Sequence, residues 1–254
     1  MAGHSHSANI RHRKGRVDEA RGKLFSKLAR EIISAAREGG GDPESNLRLR
    51  YAIDRAKKSS MPKDNIERAI KRGTGEGDGA QLEELIYEGY APGGVAILVE
   101  SLTDNRNRTA PEVRKAFEKK GGNMAESGAV AWMFERKSIF ILEREGCGLS
   151  EDDLMEVVIE VGAEDMAVEG ENFEITGEPT DFKQIVSGLE ERKIEANEAK
   201  MAWIPKQTVP VTDKDQARKI LDLIDGLEDL DDVTEVSANF DIPDDIMAEL
   251  QNED

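Results

Sequence analysis

The chain is expected to fold as an α+β protein of three domains, with a basic helical head followed by two α/β units. Three observations carry this expectation. The charge is split, with 18 Lys/Arg and 9 Asp/Glu in residues 1–75 against 17 and 44 in the remainder. The apolar spacing changes from a helical period to short alternating runs beyond the Gly-rich stretch Gly73-Thr74-Gly75-Glu76-Gly77-Asp78-Gly79. Residues 138–204 then read, in order, as strand, helix, two strands, helix, strand.

The head reads as three helices. Val17–Glu38 is periodic and stops at Gly39-Gly40-Gly41. At about 100° per residue, Val17, Leu24, Leu28 and Ala35 share a line, with Phe25 and Ile32 beside it. Arg16, Lys23, Lys27, Arg30 and Arg37 fall within about 80° of one another on the opposite side, a row suited to a phosphate backbone. Arg21 is the exception, on the apolar side. Asp42-Pro43 supplies an N-cap and first-turn proline for a second helix to Lys58, with Leu49, Ala52, Ile53 and Ala56 inward. Pro62 opens the third, with Ile66, Ala69 and Ile70 inside and Lys63 and Arg68 outside. The segment 73–79 reads as a flexible joint.

Beyond it, Glu83–Tyr90 and Val95–Leu102 read as strands joined by a Pro92-Gly93-Gly94 turn. Thr109-Ala110-Pro111-Glu112 has the form of a capping box for a helix to Lys120, and Ala129–Phe134 reads as a strand. In 138–204 the elements are strand Ile139–Glu143, helix Glu151–Val161 capped by Ser150, a hairpin of Met166–Glu169 and Asn172–Thr176, a helix from Thr180 to Arg192, and strand Glu195–Ile204. That βαββαβ order is the ferredoxin-like split. Strand Val209–Thr212, helix Lys214–Leu227 and strand Val233–Phe240 follow, and join the pieces before 137 into a second such unit. The expected domains are therefore 1–75, a discontinuous α/β unit of 80–136 plus 205–242, and an inserted ferredoxin-like unit of 137–204.

Composition removes several classes. No apolar run of about 18 residues is present, and the N-terminus has no secretory h-region, so no membrane partner and a cytoplasmic location are expected. One cysteine, Cys147, allows neither an internal disulfide nor a cysteine-based zinc site. It lies in a Gly-Cys-Gly turn far in sequence from any histidine, and reads as a structural thiol rather than a nucleophile. The histidines, His4, His6 and His12, lack helical metal-ligand spacing and nearby carboxylates, so no metal is expected. Acidic runs such as Asp229-Leu230-Asp231-Asp232 read as solvated loop ends. Arg106 and Arg108, between a strand and a helix start, form a candidate phosphate site, although the surrounding acids partner cations there. With only Phe25 and Tyr51 as aromatics in the head, phosphate contacts by Arg and Lys fit better than base stacking.

The order of motifs resembles the YebC/PmpR family over essentially the whole length. The N-terminal signature appears as Met1-Ala2-Gly3-His4-Ser5 and Ala8-Asn9-Ile10-Arg11-His12-Arg13-Lys14-Gly15, followed by Gly22-Lys23-Leu24-Phe25-Ser26-Lys27-Leu28 and Gly40-Gly41-Asp42-Pro43. Met61-Pro62-Lys63-Asp64-Asn65-Ile66-Glu67-Arg68, Tyr87-Glu88-Gly89-Tyr90-Ala91-Pro92-Gly93-Gly94, Thr103-Asp104-Asn105-Arg106-Asn107-Arg108-Thr109, Gly121-Gly122-Asn123 and Ser127-Gly128 continue it. The family's usual Lys-Trp after His-Ser is His6-Ser7 here, so a cation and an aromatic are missing.

The resemblance implies a three-domain fold with no catalytic activity and no cofactor. It implies either a DNA-binding transcriptional regulator or a ribosome-associated factor that relieves stalling at proline-rich stretches, with DNA or ribosomal RNA as partner. The expected nucleic-acid-binding residues are Arg11, Arg13, Lys14, Arg16, Lys23, Lys27, Arg30, Arg37, Lys63, Arg68, Arg106 and Arg108.

Overall fold

The computed structural model describes residues 21–76 and 82–251. The head holds α1 (Arg21–Gly39), α2 (Leu47–Lys58) and α3 (Lys63–Gly73). Then come β1 (Glu83–Tyr90), β2 (Ala96–Thr103), α4 (Arg106–Lys119), β3 (Asn123–Met124) and β4 (Phe134–Glu143). They are followed by α5 (Glu151–Val161), β5 (Asp165–Glu169), β6 (Asn172–Gly177), α6 (Phe182–Glu191) and β7 (Glu198–Pro205). The chain continues with β8 (Val209–Pro210), α7 (Lys214–Glu228), β9 (Val233–Ala238), β10 (Phe240–Asp241) and α8 (Asp244–Gln251). The architecture is α+β: helices first, then two four-stranded antiparallel sheets, one inserted in the other, with a short parallel pair of β8 and β10.

The three head helices close over Leu28, Ile32, Leu49, Ile53 and Ile66, and Leu102 of β2 enters the same core. The α2 helix starts at Leu47 rather than at Asp42, because Asn46 is the stronger cap. Its Oδ1 accepts from Leu49 N at 3.1 Å, while its Nδ2 donates to the carbonyls of Ala35 at 2.8 Å and Gly40 at 2.7 Å. One buried amide thus satisfies the end of α1 and the start of α2 together. Gly73 is a packing position instead of part of a joint. A Cβ there would lie 2.6 Å from the Ile33 carbonyl, so α3 ends against α1 only because that side chain is absent. Thr74 caps the end of α3, and residues 77–79 of the expected joint lie outside the described residues, as do 17–20 of the first helix.

The first sheet has the order β3-β1-β2-β9. The Pro92-Gly93-Gly94 turn, with Gly93 at φ 83°, makes β1 and β2 central neighbours, so the sheet is built on a hairpin and not on two βαβ units. The α4 and α7 helices bury Val113, Phe117, Ile220 and Leu223 against Ile97 and Val99. The inserted sheet has the order β5-β6-β4-β7, the split-βαβ arrangement read from the sequence. Phe140, Phe173 and Ile175 meet Leu154, Ile185 and Leu189 of α5 and α6 in its core.

Two local expectations fail for a shared reason. Residues 129–133 are not a strand, and β4 begins at Phe134. The buried Glu88 carboxylate accepts from the backbone N–H groups of Gly128 (2.6 Å), Val130 (2.7 Å) and Ala131 (2.8 Å), and the chain wraps around it. Burial works to raise that carboxyl's pKa, but the three N–H groups outweigh it and hold it below the usual range. The second failure is the start of α4, which lies at Arg106, three residues before Thr109. Asn105 is its cap, accepting from Arg108 N at 3.2 Å, and the Thr109 hydroxyl is turned inward.

Glu174 on β6 is buried, one carboxyl oxygen has no hydrogen-bond partner, and its pKa is pushed up to about 8, first by burial and then by Glu169. A folded-state value above the unfolded 4.5 means the native chain holds a proton that the unfolded chain releases, so stability falls as pH rises from about 4.5 to 8. Glu174→Gln is expected to flatten that decline and to stabilise the protein at pH 9 by roughly 1–3 kcal/mol, as measured by urea unfolding across pH.

Candidate nucleic-acid interface

The expected site residues divide into three groups. Arg11, Arg13, Lys14 and Arg16 lie outside the described residues. Lys23 is on the first turn of α1; Lys27 is half-buried on the same helix. Arg37 is exposed and donates to the Leu82 carbonyl across the segment joining head and first sheet. Lys63 and Arg68 lie on the outer face of α3 and Arg106 on the first turn of α4; all three are exposed.

Arg30 of the expected cationic row and Arg108 of the expected phosphate loop both pair with one carboxylate inside the chain. The side of α1 that carries Arg30 abuts the first sheet. Its Nη2 donates to Asp232 Oδ1 at 2.8 Å. Arg108 Nη2 donates to Asp232 Oδ2 at 2.6 Å and lies 3.2 Å from Asp104. The hydroxyls of Thr109 and Thr103 lie 2.7 Å and 3.1 Å from the same Oδ2. Only 3% of the Asp232 side chain is exposed. Burial pushes its pKa up, but the bonds from Arg108, Thr109 and Thr103 and the charge of Arg30 more than offset this and hold it low. Arg72 adds a looser pair to Asp104 at 3.5 Å. The 103–109 segment therefore docks the head, while Arg106 and part of Arg108 stay exposed.

The exposed cations of the described head gather at the α2–α3 turn and along α3. Lys57 and Lys58 close α2, Lys63 opens α3, and Lys71 and Arg68 follow on its outer side. Their local pairs are surface pairs: Lys57 to Asp54 at 3.3 Å and Lys63, 87% exposed, to Glu67 at 3.5 Å. Such contacts are worth about 0–1 kcal/mol and yield readily to a phosphate. Lys57, Lys58 and Lys71 were not singled out in the sequence, where they appear as ordinary polar positions around a helix. Arg106 pairs weakly with Glu83 at 3.7 Å, and it is 63% exposed. Among the described residues no group of three or more His, Cys, Asp or Glu is placed to hold a metal ion. No described helix is long and apolar enough to cross a membrane.

The matches to known proteins cover nearly the whole chain. Residues 5–76 match the model of the TACO1/YebC protein N-terminal domain, and 82–240 match that of the TACO1/YebC second and third domain. The chain belongs to the TACO1/YebC family. A relative from Halothermothrix orenii, named "Probable transcriptional regulatory protein", is 53% identical over 253 residues and covers 100% of both chains. One of the same name from Aquifex aeolicus is 51% identical, over 98% of this chain and all of its own. The crystal structure of a conserved hypothetical protein from Aquifex aeolicus superposes with a TM-score of 0.81 at 51% identity, over 90% of this chain and 93% of that one.

The Asp232 junction has a testable cost. Asp232→Asn leaves Arg30 and Arg108 without their shared anion and is expected to destabilise the protein by about 3 kcal/mol. Because the native carboxyl titrates below its unfolded value of 3.8, its contribution is present above that pH and disappears as pH falls through the lower native value. The thermal midpoint of the wild type should therefore fall on acidification below pH 4, with that component missing from Asp232→Asn.

Proposed function

We propose that the protein is a non-enzymatic, nucleic-acid-binding regulator of gene expression acting in the cytoplasm. The carrying observation is the cluster of exposed cations on α3 and the α2–α3 turn, set on a chain whose remainder is strongly acidic. The names of the family relatives support a regulatory role. The contacts are phosphate contacts by Lys57, Lys63, Arg68 and Arg37, joined by Lys23, Lys27, Arg106 and the N-terminal Arg11, Arg13, Lys14 and Arg16. Acidic surface elsewhere repels bulk nucleic acid and limits indiscriminate coating. The same reading divides the chain into 1–75, 80–136 plus 205–242, and 137–204.

A second reading takes ribosomal RNA as the target. One observation favours it. Trp132 is 66% exposed, and its ring is pinned by a hydrogen bond from Nε1 to the Ala129 carbonyl at 3.1 Å. A fixed, exposed indole is suited to stack an unpaired base, which duplex DNA does not offer. Competition between duplex DNA and ribosomal subunits for the labelled protein separates the two targets.

For either target, log K is expected to fall with log salt by about 0.7–0.9 per phosphate neutralised. Combined Lys57→Glu, Lys63→Glu and Arg68→Glu should lower affinity at least tenfold with the circular dichroism spectrum unchanged. Unaltered affinity in that folded variant overturns the assigned face.

A further inference from the structure

Where the head meets both sheets there is a cavity of about 330 Å³, within the size range of small-molecule sites. Its charged wall is a chain of ion pairs. Arg55 lies 3.2 Å from Glu31 and 3.1 Å from Glu198, and Lys200 lies 3.2 Å from both Glu198 and Glu235. In this chain three carboxylates share two cations. A fourth carboxylate, Glu100, has a single, loose ion pair among the described residues, to Arg136 at 3.9 Å. The Trp203 indole lies against it. Arg48, the other cation of the lining, pairs with Glu38 and also donates to Ser34 of the lining at 3.3 Å.

A second observation points to an occupant. Ser101 lines the same cavity, is 2% exposed, and its hydroxyl has no hydrogen-bond partner. A buried hydroxyl left unpaired costs free energy that a bound group recovers. Between the charged groups the wall is apolar, formed by Leu85, Ala52 and Met201.

We propose that this cavity binds a small aliphatic amine cation, of the diamine or linear polyamine class. With Glu84 the lining holds five carboxylates against four cations, and that excess sets the sign of the charge. An ammonium placed between Glu100 and Glu235 would turn a loose pair into charge-assisted hydrogen bonds, and the Ser101 hydroxyl can accept from it. The apolar wall selects a methylene chain over a hydrated metal ion, and no three carboxylates of the described residues converge as metal ligands. The inference is independent of nucleic-acid binding and is tested without nucleic acid.

The full-length protein is titrated with spermidine, putrescine and, at matched ionic strength, Mg²⁺, by calorimetry and thermal shift. The expected result is one saturable amine site, weakened at least tenfold by Glu100→Gln and by Ser101→Val and unaffected by the exposed control Glu112→Gln. Should Glu100→Gln fail to fold, Ser101→Val decides alone. Equal stabilisation by Mg²⁺ and amines, unsaturable binding, or binding that both folded variants retain would each reduce the effect to screening of an acidic protein and overturn the proposal.

Discussion

The arrangement of head and body depends on one buried carboxylate. Asp232 precedes β9, and its two oxygens are divided between units: Oδ1 takes Arg30 from α1, while Oδ2 takes Arg108, with Thr103 and Thr109 beside it. Thr103 ends β2 and Thr109 lies in the second turn of α4, so a single side chain fixes the end of a strand, the start of a helix and the face of another helix. A buried ion pair of this kind adds little net stability over an apolar contact, but it is costly to break from one side. It therefore selects one docking geometry. That matters for a head whose own core is small and which shares Leu102 with the sheet it docks on.

The same contacts change the meaning of the charge split. The basic head faces an acidic body, and part of its surplus is consumed within the chain. Arg30 meets Asp232, Arg50 meets Glu190, Arg55 meets Glu198 and Arg72 meets Asp104. Opposite signs on the two sides of the seam are thus an internal complementarity as well as a footprint for an external polyanion. The external share is what remains on α3 and the α2–α3 turn, and it is smaller than the formal charge of residues 1–75 suggests.

Elements with a strong local period were legible in the sequence: β1, α5 with its Ser150 cap, the β5–β6 hairpin, and with them the βαββαβ succession of the inserted unit. Two segments were not, and in both a buried carboxylate from far along the chain decides. Residues 129–133 have the apolar look of a strand, yet Glu88 collects their N–H groups. Thr109-Ala110-Pro111-Glu112 has the form of a capping box, yet Asp232, 123 positions away, takes the Thr109 hydroxyl and leaves the cap to Asn105. Nothing in one dimension separates Asp232 from Asp229 or Asp231 in the same acidic run. Its burial arises from where β9 inserts, which only the folded chain defines. For the same reason the exposed and the docked cations of the head looked alike.

They are not alike in kind, and this bears on the proposed contact of the head with phosphate. The cations that pair across the seam between head and body, Arg30, Arg50, Arg55 and Arg72, are arginines, whereas those grouped on the outer turn are mostly lysines: Lys57, Lys58, Lys63 and Lys71. A guanidinium is planar, weakly hydrated and able to hold several acceptors in fixed directions, which suits a buried junction. An ammonium is a strongly hydrated point charge on a flexible stem, and it gives attraction without direction. A surface of lysines reads the density of phosphates and not the identity of bases. Sequence selectivity, where the protein has any, must then come from shape or from a group away from this face. Trp132, rigidly held and far in sequence from the head, is the exposed side chain whose chemistry fits that second role.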